Sequence, residues 1–262
     1  KGVGFFVGSA LLTLFGFVNA LWIMAGGLFL ILFTSIMLPE DMGKIKQKVN
    51  FKELFSKSQE INILSAARFF LFGSRDVWFV VGLPVFLEGT LGWSFYEVGG
   101  FMACWVIGYG IIQSLAPTLI QKFGSGEPPQ SKTIQFWTFT LTGVPAAIAL
   151  ALQLGLPANL VIVGGLMLFG IVFAFNSAVH SYLVLAFTDD DKVALNVGFY
   201  YMANSGGRLA GTVLSGLVYQ ISGLVGCLWV SMLFVLAAAL VSLKLPDPKP
   251  SKAIAWKAGS GE

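Results

Sequence analysis

Charge is what this sequence has least of. Only 11% of its residues are Asp, Glu, Lys or Arg, against about 25% in a soluble globular domain. Too few polar groups remain to cover a water-soluble fold, so a chain that crosses a membrane several times is predicted. Histidine occurs once, at His180, and cysteine only at Cys104 and Cys227, both inside apolar segments. With no C-x-x-C pair and no cluster of histidines and carboxylates, the sequence gives no support to a metal centre or a dithiol redox site. The cysteines read as small buried hydrophobes. A nucleophile beside a base is also missing, so no enzyme and no cofactor are expected. The lysines form no stripe that would suit nucleic acid. An initiator methionine, a signal peptide and a soluble leading region are all lacking. The chain opens on Lys1-Gly2-Val3 and enters an apolar run at once, which reads as a piece of a longer protein.

What the sequence has in quantity is apolar length. Hydrophobic residues make up 56%, with 31 glycines and 24 phenylalanines, a mixture suited to closely packed transmembrane helices. Eight spans are expected, near 3–18, 20–38, 62–87, 98–119, 134–153, 158–187, 194–219 and 224–243, each close to the ~20 residues needed to cross a bilayer. The first boundary is soft, marked only by Phe17-Val18-Asn19.

The lysines orient these spans. Every lysine falls on one set of alternating connections: Lys1, the 39–60 loop, Lys122 and Lys132, Lys192, and the residues after Leu243. The opposite connections hold Glu88 and Glu97 and no lysine. Positive charge is retained on the cytoplasmic side, so both ends of the chain are expected there. The 39–60 loop carries Phe51-Lys52-Glu53-Leu54-Phe55, which reads as a short interfacial helix. Residues 1–38 then read as the last two helices of an N-terminal six-helix bundle. Residues 39–60 read as the cytoplasmic loop between bundles, 61–245 as a C-terminal six-helix bundle and 246–262 as a cytoplasmic tail.

Several segments carry a resemblance to a known family. Gly4–Phe17, and the following apolar run that ends Leu38-Pro39-Glu40, resemble the fifth and sixth helices of the major facilitator superfamily. Ser114–Gly124 occupies the place of its cytoplasmic gate motif. There Gln121 stands where an aspartate is usual and Pro117 where a glycine is usual, so a gate salt bridge is not supported. The Gly-Pro pair of the superfamily's antiporter helix has no counterpart in Gly4–Phe17, so antiport is not supported by that segment. Ser65–Leu87, with Arg75-Asp76 at its centre and Pro84 near its end, is similar to the seventh helix of the ArsJ-type organoarsenical efflux permeases. Gly92-Trp93-Ser94-Phe95, Trp105–Gly110 and Gly207-Arg208-Leu209-Ala210-Gly211 are similar to the same group. The resemblance implies a bundle of the major facilitator type in a bacterial inner membrane. It also implies a monomer that exports 1-arseno-3-phosphoglycerate, made by a partner glyceraldehyde-3-phosphate dehydrogenase acting with arsenate.

The residues themselves point to an anion. Arg68, Arg75 and Arg208 lie inside apolar stretches, where an arginine costs roughly 2.5–3.5 kcal/mol on insertion scales. Arg68 and Arg75 are seven apart, about two turns, and share a helix face with Phe72 and Phe79. Counting from Asn62 at 1.5 Å per residue puts Arg68 about 9 Å deep and Arg75 about 20 Å deep. Arg75 thus falls near mid-membrane, where secondary transporters bind substrate, and its planar fork suits phosphate or arsenate oxygens. Arg68 has a second reading, reaching back to the cytoplasmic headgroups. Arg75 also has one, as a structural partner of Asp76 or of backbone carbonyls.

Asp76 is the acidic residue deep within a span. It reads as a protonatable coupling site, as a counter-charge to an arginine in the empty state, or as a member of a fixed ion pair. Neighbours on an ideal helix point about 100° apart, so Arg75 and Asp76 need not pair. Asn196, Tyr200, Asn204 and Arg208 form a polar stripe at steps of four, with Arg208 about 22 Å in. Gly206, Gly207 and Gly211 around it allow close approach of a helix or a ligand. Tyr109 and Gln113, four apart, could line the same cavity. His180, four after Asn176, reads as a satisfied polar residue near a helix end or, less simply, as a proton relay.

The expected site is therefore Arg75, Arg208, Arg68, Asn204, Tyr200, Tyr109 and Gln113 for substrate, with Asp76 for coupling. Three arginines against one aspartate favour a small organic polyanion. An exporter of cationic or hydrophobic drugs, the competing reading, asks for the opposite balance.

Overall fold

A computed structural model describes residues 2–37, 58–123, 128–188 and 193–248. The loop over 39–57 and the interfacial helix expected in it, Gly124 of the gate-like segment, residues 189–192 and the tail from 249 lie outside the described residues. Among the described residues there are seven α-helices and no strand: α1 (Gly2–Ile36), α2 (Gln59–Phe79), α3 (Gly82–Gly89), α4 (Phe95–Phe123), α5 (Ser131–Gln153), α6 (Ala158–Ala186) and α7 (Val193–Ser242). Taking α2 with α3 as one stretch, six of these are apolar and long enough to cross a bilayer. The chain is an all-α, multi-pass membrane protein.

Six long helices stand where eight spans are expected, because α1 and α7 each run through an expected boundary. Both carry one glycine off the helical path, Gly16 at φ 73° and Gly223 at φ 60°. Positive φ is open to glycine and strained for other residues, so the sequence can break the helix there. At Gly223 the chain turns back on itself. Gly207 and Phe234 both lie against Gly73 of α2, although an unbroken helix would hold them about 40 Å apart. Within α7, the Cys227 thiol reaches the Ser215 carbonyl at 3.7 Å. Thus α7 is two antiparallel arms, and α2 packs against both, with Gly82 of α3 nearer the turn.

The expected span over 62–87 is also divided. Pro84 lacks an N–H and its ring crowds the carbonyl four residues earlier, at Val80, which favours a break there, although α4 and α5 run on through Pro117 and Pro145. The break falls at Val80 and Val81, and α3 restarts at Gly82 with Pro84 in its first turn, where a missing donor costs nothing. Ser215 of α7 satisfies the donors freed at the break: its hydroxyl accepts from the N–H of Val81 at 3.3 Å and of Gly82 at 3.1 Å.

The ends of the helices are stitched in two groups. At one end Gln135 of α5 donates to the Ser242 carbonyl at 3.2 Å, and the Ser131 N–H donates to Asp247 at 3.0 Å. At the other, the Trp93 indole donates to Asn159 at the start of α6 at 3.1 Å. The core between them is aromatic. Trp78, Phe79, Trp105, Phe169 and Phe173 are buried and meet edge-on or stacked, and the Trp105 indole donates to the Leu166 carbonyl at 2.7 Å. The first turns of α1 lie along α4, with Ser9 against Gly99 and Gly2 against Ile107. After Gly16 the character changes. Between Phe17 and Met37 only Ala20 is buried, and the remaining side chains are exposed.

The closest helix contact is that of α2 with α7. A Cβ on Gly207 would overlap the Phe69 carbonyl, and one on Gly211 would sit 2.5 Å from the Gly73 oxygen. Glycine is therefore required at these two positions for the backbones to touch. Gly207→Val is expected to destabilise the protein by about 2 kcal/mol or more, since relief needs movement of backbone. Thermal unfolding in detergent measures this. Gly216→Ala, at a position with nothing within 4 Å, should melt with the wild type; a Gly207→Val protein that does the same would contradict the close crossing.

Candidate functional site

The tight α2–α7 crossing places charged side chains opposite one another in the apolar bundle. Asp76, on α2 one turn past Gly73, is buried with its side chain 1% exposed. One carboxylate oxygen accepts from Arg75 Nε at 2.7 Å and Nη2 at 2.5 Å. The other accepts from Arg208 Nε of α7 at 2.8 Å. A carboxylate has about four acceptor sites, so one group can hold two guanidinium ions. The Arg75 side chain is 12% exposed and that of Arg208 38%. Adjacent Arg75 and Asp76 do pair, contrary to what the 100° helical offset allows for short side chains. The arginine chain is long enough to fold back over its neighbour.

A second polar group lies about two turns earlier on α2. Arg68 is only 4% exposed, which rules out the reach to headgroups considered from its depth. Its Nε donates to Asn204 of α7 at 3.2 Å. Its Nη1 donates to the Ser177 hydroxyl of α6 at 3.1 Å, and Gln113 of α4 donates to the same hydroxyl at 3.1 Å. These partners are neutral. Aromatic faces supply further stabilisation: the Arg68 guanidinium lies 3.8 Å from the Phe72 ring centroid and 5.0 Å from that of Tyr200.

Phe72 joins the two groups. The Arg75 guanidinium stands 5.2 Å from the same ring and 5.7 Å from Phe173 of α6. The two α2 arginines thus approach one phenylalanine, with Phe173 and then Tyr109 of α4 alongside at centroid distances of 5.1 and 5.6 Å.

The residues expected from sequence are therefore brought together in two sets. Arg75, Asp76 and Arg208 form one. Arg68, Asn204, Gln113 and Tyr200 form the other, around Ser177. Among the described residues Tyr109 makes no hydrogen bond to either; its ring stacks on Trp105 at 5.8 Å and lies tilted against Phe173 at 5.6 Å. The polar stripe of α7 is split between the sets, since Tyr200 and Asn204 face Arg68 while Arg208 faces Asp76. Three contributors were missed as site residues. Ser177 was visible in the polar stripe of its helix, and Phe72 in its place between two arginines. Phe173 carries no signal that separates it from the other phenylalanines. His180, taken as a satisfied polar residue, is fully buried, and neither ring nitrogen has a hydrogen-bond partner among the described residues.

Within this site the arrangement offers planar, multi-donor cation surfaces in an apolar setting, with one carboxylate among three guanidinium groups. No protein-family model matches the chain, and no curated protein matches it.

Removing Asp76 leaves Arg75 and Arg208 side by side without their shared counter-charge. Asp76→Ala is expected to cost about 3 kcal/mol, the lower end for a broken buried pair because Arg208 keeps some solvent contact. Arg208→Ala, which leaves the Arg75–Asp76 pair intact, should cost less, about 2 kcal/mol for one lost charge-assisted hydrogen bond. Unfolding midpoints of the two variants in detergent check the order, and equal midpoints would refute it.

Proposed function

We propose that this chain belongs to a secondary active transporter that exports a small organic polyanion. The observation that carries this reading is the excess of guanidinium over carboxylate inside an apolar bundle. A charge at membrane depth is expensive, and it is retained where a cavity, a partner or a ligand compensates it. Arginine forks match the oxygens of phosphate and arsenate groups in pairs. The resemblance of Ser65–Leu87 and Gly207–Gly211 to the ArsJ-type permeases names a substrate of that class, 1-arseno-3-phosphoglycerate. On this reading the fold is of the major facilitator type, and the chain supplies eight spans of it. The membrane is the bacterial inner membrane, and both ends of the chain are cytoplasmic. The functional partner is a glyceraldehyde-3-phosphate dehydrogenase.

In this mechanism Arg75 and Arg208 take the substrate's oxyanion, and Asp76 occupies them while the site is empty. A proton on Asp76 removes the competing charge and frees both forks for substrate. The site thereby takes up proton and anion together, so the two cross in the same direction, and the net negative charge of the pair lets an inside-negative membrane potential drive export. Arg68, with Asn204, Gln113 and Tyr200, stands against the same Phe72 ring for the substrate's remaining polar groups. The competing reading, an exporter of hydrophobic drugs, draws on the aromatic lining of Phe72, Phe173 and Tyr109.

In cells that carry the full-length protein and the dehydrogenase, Arg75→Ala and Arg208→Ala should each abolish arsenate resistance while membrane insertion is kept. Wild-type resistance in both would sink the anion site. Resistance without the dehydrogenase, or efflux of cationic dyes that survives both substitutions, would favour another substrate. Asp76→Asn should lose uphill transport driven by a pH gradient in vesicles; unchanged pH-driven transport would remove Asp76 from the coupling.

A further inference from the structure

Among the described residues three membrane-length stretches contain a proline, and one of the three is broken. α4 runs on through Pro117 and α5 through Pro145, whereas α2 stops at Phe79 and α3 starts at Gly82, two residues before Pro84. A proline deletes its own helical hydrogen bond, here the one to the Val80 carbonyl. Loss of that bond is tolerated in α4 and α5, so a further cause opens the helix at 80–82.

That cause is Ser215. In an unbroken helix the Val81 and Gly82 N–H groups would donate to the Val77 and Trp78 carbonyls, four residues back. Here both donate to the Ser215 hydroxyl of α7, at 3.3 and 3.1 Å. A hydroxyl oxygen has two lone pairs, so it can take both. Gly82 makes the contact possible. It nests beside the turn of α7, where a Cβ would stand 3.3 Å from the Cys227 sulfur and 3.3 Å from the Tyr219 ring. The Cys227 thiol donates in turn to the Ser215 carbonyl, so the serine is held by both arms of α7.

The two arrangements are closely matched. Two neutral hydrogen bonds to carbonyls of the same helix are replaced by two neutral bonds to a hydroxyl. Packed elements with two such arrangements switch between them instead of deforming by degrees. The break also lies on the seam that carries the charged triad. Ser215 follows Arg208 by seven residues, two turns along the same face, and Val81 follows Asp76 by five. Between the two contacts Gly211 lies against Gly73 and Asp76. The first arm of α7 thus holds α2–α3 through one charged and one neutral contact. Moving the arm far enough to part Arg208 from Asp76 also draws Ser215 off the break.

We propose that residues 80–82 are a two-state hinge, bent while Ser215 holds the Val81 and Gly82 N–H groups and straightened when these return to Val77 and Trp78, with the Asp76–Arg208 pair selecting the state. The moving part is α3, eight residues long. Over its ~12 Å length, a change of about 25° in tilt shifts its far end by roughly 5 Å. That end adjoins the stitch between Trp93 and Asn159. A change at the charged centre is thereby passed to one end of the bundle, whatever occupies the centre, so the hinge stands apart from the anion-transport reading.

The experiment measures a distance in the full-length protein in lipid nanodiscs, without substrate. Spin labels are placed at Glu88→Cys, near the end of α3, and Leu154→Cys, after α5, both exposed positions. Cys104→Ala removes the exposed native thiol. Ser215→Ala should move the main distance by the amount the tilt implies, and Ser215→Thr, which keeps the hydroxyl, should leave it in place. Gly82→Ala, which crowds the backbone out of the α7 turn, should move it as Ser215→Ala does, and gives the reading if Ser215→Ala does not fold. Because each freed N–H regains a carbonyl, Ser215→Ala should melt within about 3 °C of its parent. Asp76→Asn should bring in the second distance beside the first. An unmoved distance in Ser215→Ala and Gly82→Ala, with a shift in Pro84→Ala, assigns the break to proline and overturns the hinge. A broad distribution with a large loss of melting temperature in Ser215→Ala overturns it too, since the freed N–H groups then have no second partner. The parent's distance in Asp76→Asn overturns the link to the charged centre.

Discussion

The approach of α2 to α7 is the constraint on which the polar centre depends. Two backbones come into contact at Gly73, Gly207 and Gly211 because none carries a Cβ. A single side chain there would push the helices apart by an ångström or more. Asp76 would then lose Arg208, since charge-assisted hydrogen bonds weaken steeply beyond about 3 Å. The glycines thus have an electrostatic consequence although they carry no charge. Their contact sets the 2.8 Å separation on which the interhelical ion pair relies. Packing through small residues and satisfaction of buried charge, often treated as separate features of membrane helices, are here one feature.

The three arginines solve the problem of burial in different ways. Arg75 and Arg208 share one carboxylate. Arg68 uses a hydroxyl, an amide oxygen and the faces of Phe72 and Tyr200. An aromatic face attracts a cation without bringing a negative charge, and a guanidinium pays less desolvation than an ammonium. That difference explains why lysine is absent from the described spans' interior: a compact, strongly hydrated ammonium has no planar surface to lay on a ring. It also leaves the bundle electrostatically uneven, balanced in part around Asp76 and cationic around Arg68.

Much of this was legible in the sequence. The separation of arginine from lysine identified the membrane and the anomalous residues. Steps of four along α7 put Tyr200, Asn204 and Arg208 on one side of a helix, and all three do meet α2. What could not be read is instructive in its causes. The depth of Arg68 along its own helix left the headgroups open as an alternative to the site, and burial by α6 and α7, which a single helix does not reveal, decides between them. The pairing of Arg75 with Asp76 was open from the sequence, and Cβ directions could not decide it, because a long side chain can fold back over a short one. The break before Pro84 was present in the sequence and was overlooked, since the apolar run continues through it. Gly16 and Gly223 look like any other glycine among the 31 in the chain. Only their dihedral angles distinguish the two that interrupt long helices.

The two bonds that hold Asp76 differ in what they resist. Arg75 and Asp76 are consecutive residues of α2 and move with that helix as one unit. Arg208 belongs to α7, so its bond to Asp76 is the part of the triad that spans two elements. Sliding or tilting α2 against the first arm of α7 leaves the first pair untouched and must stretch the second. The Ser215 hydroxyl ties the same two elements at the α2–α3 break. It does so through neutral bonds worth about 1 kcal/mol each, and water can replace these as the helices part. The charged contact has no such cheap substitute in an apolar bundle. Any rearrangement between α2 and α7 is therefore limited chiefly by whether another anion, or a proton on Asp76, can take over the task of that one carboxylate oxygen.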